Sequence, residues 1–235
     1  MSVPGSSVTT GTRGRDTMGS ADARAGEQGA GMMLALHAAF RRDLGHLARA
    51  AEGLTRRPER RAAVVRGWVA FRDELHHHHT VEDTSLWPAV RRRTSACADA
   101  EVLEAMEWEH GIVDPLVEVV DASLSAPAGA GPLDGSDLAA AVDELHQQLS
   151  HHLRHEEQDA LPLALRVLTA QDWHANSVTA RKTKGLRTIP AFLPWLTDGR
   201  TAEESASTLA LFPGPLLALN GRFFEPRYRR QDRWL

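Results

Sequence analysis

The sequence predicts an all-α protein whose centre is a set of four amphipathic helices. In four segments, apolar residues recur three and four positions apart, which is the spacing of one helical face. Two of these segments are copies of one pattern about 74 residues apart, and a glycine- and proline-rich loop at 126–135 precedes the last segment. A chain of 235 residues can bury one core of this kind comfortably.

The two ends of the chain differ from its centre in composition. Residues 1–28 are rich in Gly, Ser, Thr, Arg and Asp without helical periodicity, so we expect a disordered tail there. The helical domain is expected to span residues 29–168. Residues 169–235 form a C-terminal extension of helical and irregular segments, which we expect to pack on the domain or on a partner protein.

The first and third predicted helices each carry one histidine on an apolar stripe. In the first helix, at 32–51, this residue is His37. In the third helix, at 98–124, it is His110, and Asp114 lies on the flank of the stripe. The apolar members are Met33, Phe40, Leu44 and Ala48 in the first helix, and Leu103, Met106, Val117 and Leu124 in the third.

The second and fourth predicted helices are the two copies of the repeat, and they contain the strings HHTVEDTSLWP and HLRHEEQDALP. On a wheel of about 100° per residue, His78 and Glu82 fall on the apolar stripe of the first copy. His152 and Glu156 fall on that of the second, and His79 lies on the flank at roughly 60°. The wheel places His76, His77, His151 and His155 away from the stripes.

Two inward glutamates are the strongest functional signal in the chain. An ionised carboxylate in an apolar interior carries a large desolvation cost unless it is paired or bound to a cation. A lone inward histidine is commonly a core residue, and a His–Glu pair four apart is also found on helix surfaces. Two copies of the same inward pair nevertheless favour a metal site, for which imidazole and carboxylate suit iron, manganese or zinc. The candidate ligands are His37, His78, Glu82, His110, His152 and Glu156.

The order of these residues, together with the two strings, resembles the hemerythrin HHE cation-binding family. The resemblance covers roughly residues 31–168. It implies an up-down-up-down four-helix bundle that holds a non-haem centre of two iron ions, with histidines as terminal ligands and two carboxylates as bridges. It also implies a small ligand, namely O2, NO or peroxide, and a role in sensing or stress defence.

Two positions differ from the pattern of oxygen-carrying hemerythrins. Those proteins have a second histidine one turn before the matched residue of the third helix, where this chain has Met106. Their fourth helix pairs histidine with an aspartate five residues later, whereas here Glu156 follows His152 by four. The set of four histidines and two glutamates therefore resembles the sensor and stress-related branches. His79 and Asp114 stay open as further ligands.

Composition narrows the function classes. The formal net charge of −4 at pH 7 provides no basic surface for nucleic acid. Cys97 is the only cysteine, so a disulfide within the chain is excluded and a reducing cytoplasm is the expected location. No run approaches the 18 apolar residues of a membrane span. The sequence contains no Gly-rich phosphate loop and no Ser-His-Asp arrangement that would indicate an organic substrate.

Prolines and aromatic residues shape the remaining expectations. Pro88 and Pro162 each follow their glutamate by six residues, and we expect them to bend or end the helix. Trp173 is expected to pack on the bundle. The tail at 222–235 interleaves arginines with aromatic residues. This pattern favours a segment folded back on the domain over one that binds nucleic acid or a partner protein.

The sequence thus favours a protein that binds a metal and a small diatomic or peroxide ligand over a classical enzyme. Two alternatives remain open. One is a di-iron enzyme that removes peroxide or nitric oxide. The other is an iron-sensing interaction module in which metal loading orders the fold.

Overall fold

A computed structural model describes residues 13–54, 56–126 and 135–234, and the regular structure in these ranges is helical without strands. The helices are α1 (Arg13–Leu54), α2 (Arg61–Val81), α3 (Trp87–Arg93), α4 (Cys97–Ser125), α5 (Gly135–His155), α6 (Leu161–Val167), α7 (Ala170–Lys184), α8 (Ile189–Thr197), α9 (Ala202–Leu209), α10 (Gly214–Leu219) and α11 (Glu225–Arg229). Short 3-10 turns cover Pro58–Arg60 and Leu186–Thr188. Turns of π-helix cover Glu82–Leu86, Glu156–Ala160 and Asn220–Phe224. The predicted all-α class is confirmed for the described residues.

Helices α1, α2, α4 and α5 correspond to the four predicted amphipathic helices. Helix α1 contacts α2 and α5, and helix α4 contacts the same two. The loop expected at 126–135 falls between α4 and α5, and its residues 127–134 lie outside the described ranges. The four long helices therefore share one interior, to which each contributes its apolar stripe.

That interior consists of two apolar clusters with a polar layer between them. The first cluster includes Phe40, Leu75, Val113 and Leu149, one from each long helix. The second cluster includes Met33, Met106, Leu86 and Ala160, the last two from the π turns that follow α2 and α5. Along each of the four helical segments, the candidate metal ligands lie between its member of one cluster and its member of the other. The ligands are thus enclosed by apolar side chains on both sides.

The tail expected at residues 1–28 is helical from Arg13 onward, because α1 begins there. Residues 1–12 lie outside the described ranges. The glycines that suggested disorder instead allow close packing: a Cβ added at Gly29 would lie 2.3 Å from Trp173 Cε3, and one at Gly26 would lie 2.9 Å from Leu165 Cδ2. Asp22 also accepts a hydrogen bond of 2.6 Å from the backbone N–H of Ala170. The start of α7 therefore packs on the first turns of α1.

The prolines of the repeat do not end their helices. After the π turns at Glu82–Leu86 and Glu156–Ala160, the chain continues as α3 and α6. Pro88 and Pro162 occupy the first turn of α3 and α6. Proline has no N–H to donate and its ring crowds the carbonyl of the preceding turn, which a wider π turn accommodates. The expected end of the helix is thus replaced by a local change in hydrogen bonding.

The C-terminal extension packs against the long helices. Trp173 of α7 and Trp195 of α8 are buried, and Trp195 Nε1 donates a 2.7 Å hydrogen bond to the buried Asp43 of α1. Near the end of the chain, the Trp234 backbone N–H donates to the Ala63 carbonyl at 3.1 Å, and the Trp234 ring is buried against Gly67. The expected packing of Trp173 is confirmed, and the terminal segment folds back on α2. Among the described helices, none is long and apolar enough to cross a membrane.

The two glycines at positions 29 and 31 of α1 provide a matched test of the α1–α7 contact. Gly29→Ala is expected to lower the free energy of unfolding by roughly 1–3 kcal/mol, since the new Cβ would overlap the Trp173 ring. In Gly31→Ala, the new Cβ has no atom within 4 Å. This substitution should raise the free energy of unfolding by about 0.5–1 kcal/mol, because alanine has the higher helix propensity. Urea denaturation measures both. Equal stability of the two variants would contradict this contact.

Candidate metal centre

The structure brings all six candidate ligands into the polar layer between the two clusters. Each of the six is buried, with at most 5% of its surface exposed. Four of them form a first group, in which one donor atom from each residue lies within 4.8 Å of the others: His37, His78, Glu82 and Glu156. A second group consists of His79, His110 and His152. The inward direction predicted by the helical wheel is therefore confirmed, and binding of metal by these residues stays a prediction.

The first group is held by α1, α2 and the two π turns. His37 Nε2 lies 3.2 Å from His78 Nε2 and 3.1 Å from Glu156 Oε2. His78 Nε2 lies 3.0 Å from Glu82 Oε1, one helical turn later. Two atoms bound to one ion at about 2.1 Å and at right angles would be about 3 Å apart. The spacing in the first group is therefore that of ligands around a single ion.

The second group shares the same two carboxylates. His110 Nε2 lies 3.2 Å from His152 Nε2 and 3.6 Å from Glu82 Oε2. His152 Nε2 lies 3.9 Å from Glu156 Oε2. The His79 ring stacks on that of His110 with centroids 4.0 Å apart. Glu82 and Glu156 therefore each approach histidines of both groups.

The histidine rings are oriented by carboxylates that lie further from the centre, which we call the outer carboxylates: Asp83, Glu109, Asp114 and Glu157. They accept hydrogen bonds from Nδ1 of His110 (2.9 Å), His152 (2.9 Å), His79 (3.2 Å) and His37 (2.8 Å), respectively. A carboxylate that accepts from Nδ1 fixes the ring and its tautomer, and leaves the Nε2 lone pair for a metal. Four of the five inward histidines are held in this way.

Electrostatics keeps the outer carboxylate Glu157 charged. Burial raises the pKa of Glu157, but hydrogen bonds from His37 and Arg41 outweigh this effect and lower the pKa to about 2. Arg41 donates to both Glu157 oxygens, at 2.7 and 3.0 Å. Glu157 is therefore an ionised acceptor at neutral pH, which requires that the proton of a neutral His37 reside on Nδ1.

Five of the polar atoms that face the centre lack hydrogen-bond partners in the described part of the chain. These atoms are both carboxylate oxygens of Glu82, both of Glu156, and Nε2 of His79. Leaving a buried polar atom without a partner costs free energy, and carboxylate oxygens and an imidazole nitrogen that face one layer are the donor types that bind a cation. The residues present thus fit two adjacent cations, one for each group.

In the metal-free protein, protons partly replace those cations. Burial raises the pKa of Glu82 well above its ordinary value, and the nearby Glu156 and Asp83 carboxylates raise it further. Burial lowers the pKa of His37, but the Glu156 and Glu157 carboxylates together outweigh this effect, so the net shift of its pKa is upward. Burial, followed by neighbouring histidines, lowers the pKa of His78 well below its ordinary value. His78 is therefore a neutral donor at pH 7, and the raised pKa values of Glu82 and His37 make protons compete with metal for these two residues.

Sequence reasoning left His79 and Asp114 open and assigned no role to Asp83, Glu109 and Glu157. The repeat contained a signal for two of them, because Asp83 and Glu157 occupy the same position in both copies. A second signal was that His79 and Asp114 each lie on the flank of a stripe, which suits residues that meet between neighbouring helices. Burial lowers the pKa of His79 to about 4, even though its hydrogen bond to Asp114 opposes this shift. His79 is therefore neutral and available as a ligand.

His79 and the adjacent turn offer a test of the second group. His79→Ala should reduce the bound metal from about two ions to about one per chain, because the second group loses one of its three histidines. His76→Ala removes an exposed histidine from the preceding turn of the same helix and should leave the metal content unchanged. Elemental analysis after loading and gel filtration measures both. Full occupancy in His79→Ala would show that His79 is not a ligand.

The outer carboxylates can be tested separately from the ligands. Glu157→Gln keeps the size of the side chain but removes the charge that holds His37 Nδ1, so metal affinity should fall by about 10- to 100-fold. Glu144→Gln, on the exposed side of α5, is the matched control and should bind metal like the unaltered chain. Competition with a chelator of known affinity gives the ratio, and equal affinities would rule out an orienting role for Glu157.

Comparison with known proteins agrees with the geometry. The family model of the hemerythrin HHE cation binding domain matches residues 28–164, which include α2, α4, α5, the part of α1 from residue 28 onward and every residue of both groups. No curated protein and no solved structure matches the chain. Because the family match covers more than half of its length, the chain belongs to the hemerythrin HHE cation-binding domain family.

Proposed function

We propose that this protein holds two non-haem iron ions in its polar layer and binds O2, NO or peroxide in sensing or stress defence. It is proposed to act in the cytoplasm, as a binding protein more than as a classical enzyme. The observation that carries the proposal is the convergence of unpartnered carboxylate oxygens and histidine nitrogens on two adjacent positions.

The donor set favours iron over other ions. Five imidazoles and two bridging carboxylates are harder than the thiolate sets preferred by copper(I) and structural zinc, and they contain more nitrogen than magnesium or calcium sites. Bridging carboxylates between helices are the usual support for paired iron or manganese ions in helical bundles. Two ferrous ions would supply the electron density that small oxidants and diatomic ligands require.

The two positions differ in how many protein donors surround them. The first group provides two histidines, whereas the second provides three, and both share Glu82 and Glu156. An ion in the first group therefore has fewer protein ligands and more room for an external one. The Phe40 ring lies 5.2 Å from the ring of His78 and covers this side with an apolar surface. Such a wall keeps water from competing for the open position.

The up-down-up-down topology is also part of the proposal, and the order of the two clusters along the chain supports it. Helix α1 passes from Met33 in the second cluster to Phe40 in the first. The segment of α2 runs the other way, from Leu75 to Leu86. Met106 to Val113 in α4 and Leu149 to Ala160 in the α5 segment repeat the alternation. Successive segments thus cross the polar layer in opposite directions.

Iron loading of the whole chain tests the proposal. Anaerobic addition of ferrous iron, followed by air, should give about two irons per chain and the charge-transfer absorption of a bridged di-iron centre. Glu82→Gln and Glu156→Gln should each lower the iron content, because each removes a bridging charge, whereas Glu144→Gln should not. Addition of NO or H2O2 should then change the spectrum of the unaltered protein. The proposal would be contradicted if the protein bound only zinc. It would also be contradicted if the protein bound one iron whose spectrum did not change on addition of O2, NO or H2O2.

A further inference from the structure

Two histidines in the second copy of the repeat remain outside the buried centre. His151 and His155 lie one turn apart on α5, so their side chains project on the same side of the helix. The side chains are 60% and 26% exposed, and they line a surface cavity of about 170 Å³ together with Arg154 and Gln158. This surface of α5 faces Glu109 of the neighbouring helix α4.

Glu109 connects the exposed pair to the interior. Its Oε1 accepts a hydrogen bond of 2.6 Å from His155 Nδ1 and lies 3.7 Å from His151 Nδ1. Its Oε2 accepts the Nδ1 hydrogen of the buried His152 at 2.9 Å. One oxygen of the carboxylate is thus committed to the buried centre, while the other faces two imidazole nitrogens at the surface.

Two imidazoles and one carboxylate on one side of an ion form a recurrent metal-binding set. The same combination leaves coordination positions open for water in zinc and ferrous iron sites. Arg154 does not compete for the carboxylate, since its guanidinium donates to the Ser150 carbonyl at 3.5 Å. Asp159, one turn beyond His155, lies 3.7 Å from His155 Nε2 and adds negative charge on the solvent side.

We propose that His151, His155 and Glu109 form a surface site for one divalent transition-metal ion, separate from the buried pair. The ion would replace the proton that His155 Nδ1 shares with Oε1 of Glu109, and the exposed side chain of His151 would turn toward it. The first copy of the repeat has no such site, because Val81 stands where the second copy has His155. This inference does not depend on iron in the buried centre.

Zinc binding to the iron-loaded full-length protein tests the surface site. Equilibrium dialysis against Zn²⁺ should give one further ion per chain. In the double variant His151→Ala/His155→Gln, affinity for that ion should fall by at least about tenfold, because two of the three donors are gone. His174→Ala, which removes an exposed histidine of α7, is the control and should bind zinc like the parent protein. In NMR spectra, zinc should shift the ring signals of His151 and His155 but not those of His174.

The outcomes separate this site from the buried centre. Absence of the additional zinc, or equal zinc affinity of the double variant and the parent protein, would overturn the surface site. Zinc that is lost only in Glu82→Gln belongs to the buried centre and likewise counts against it. A chain that fails to take up iron, yet holds a zinc ion that depends on His151 and His155, would contradict the proposed function and support the surface site.

Discussion

The arrangement of this protein depends on two carboxylates, Glu82 and Glu156, buried between two apolar clusters. In the described structure no hydrogen bond reaches their oxygens, so they need either protons or cations nearby. Four of the surrounding histidines direct an Nδ1 hydrogen away from the centre to an outer carboxylate, which leaves their Nε2 atoms available to a metal. A layer of this kind is stable when cations occupy it, which couples metal binding to the packing of all four long helices.

The C-terminal extension belongs to the same packing. Trp195 contacts Phe40 with ring centroids 5.6 Å apart, and Phe40 contacts His78. The indole nitrogen of Trp195 is held by Asp43, a buried residue of α1. The extension thus lies directly behind the apolar wall of the first group. A displacement of α8 would be transmitted to His78 through the rings of Trp195 and Phe40. The family domain and the extension therefore form one structural unit around Phe40.

Local periodicity was sufficient for residues whose role depends on a single helical face. His37, His78 and His110 were found because each lies on a helical stripe whose apolar members are three and four residues apart. His79 was not selected, because a helical wheel defines one inward direction. The two groups use two adjacent directions on α2, that of His78 and that of His79. The contact of Gly29 with Trp173 could not be found either. Its partner lies far along the chain, and glycine content alone does not distinguish a disordered segment from one that allows close packing.

The two copies of the repeat explain why the first group contains two histidines and the second contains three. Both copies keep the inward histidine and glutamate, the outer carboxylate, and the π turn. They differ at the next inward position, where the first copy has His79 and the second has the buried Leu153. This single difference gives the second group its third histidine and leaves the first group with an apolar neighbour in place of a donor. Under the proposed function, the sequence of the fourth helical segment would therefore direct an external ligand to the first group, although the residues around that ligand would come mainly from the first and second segments.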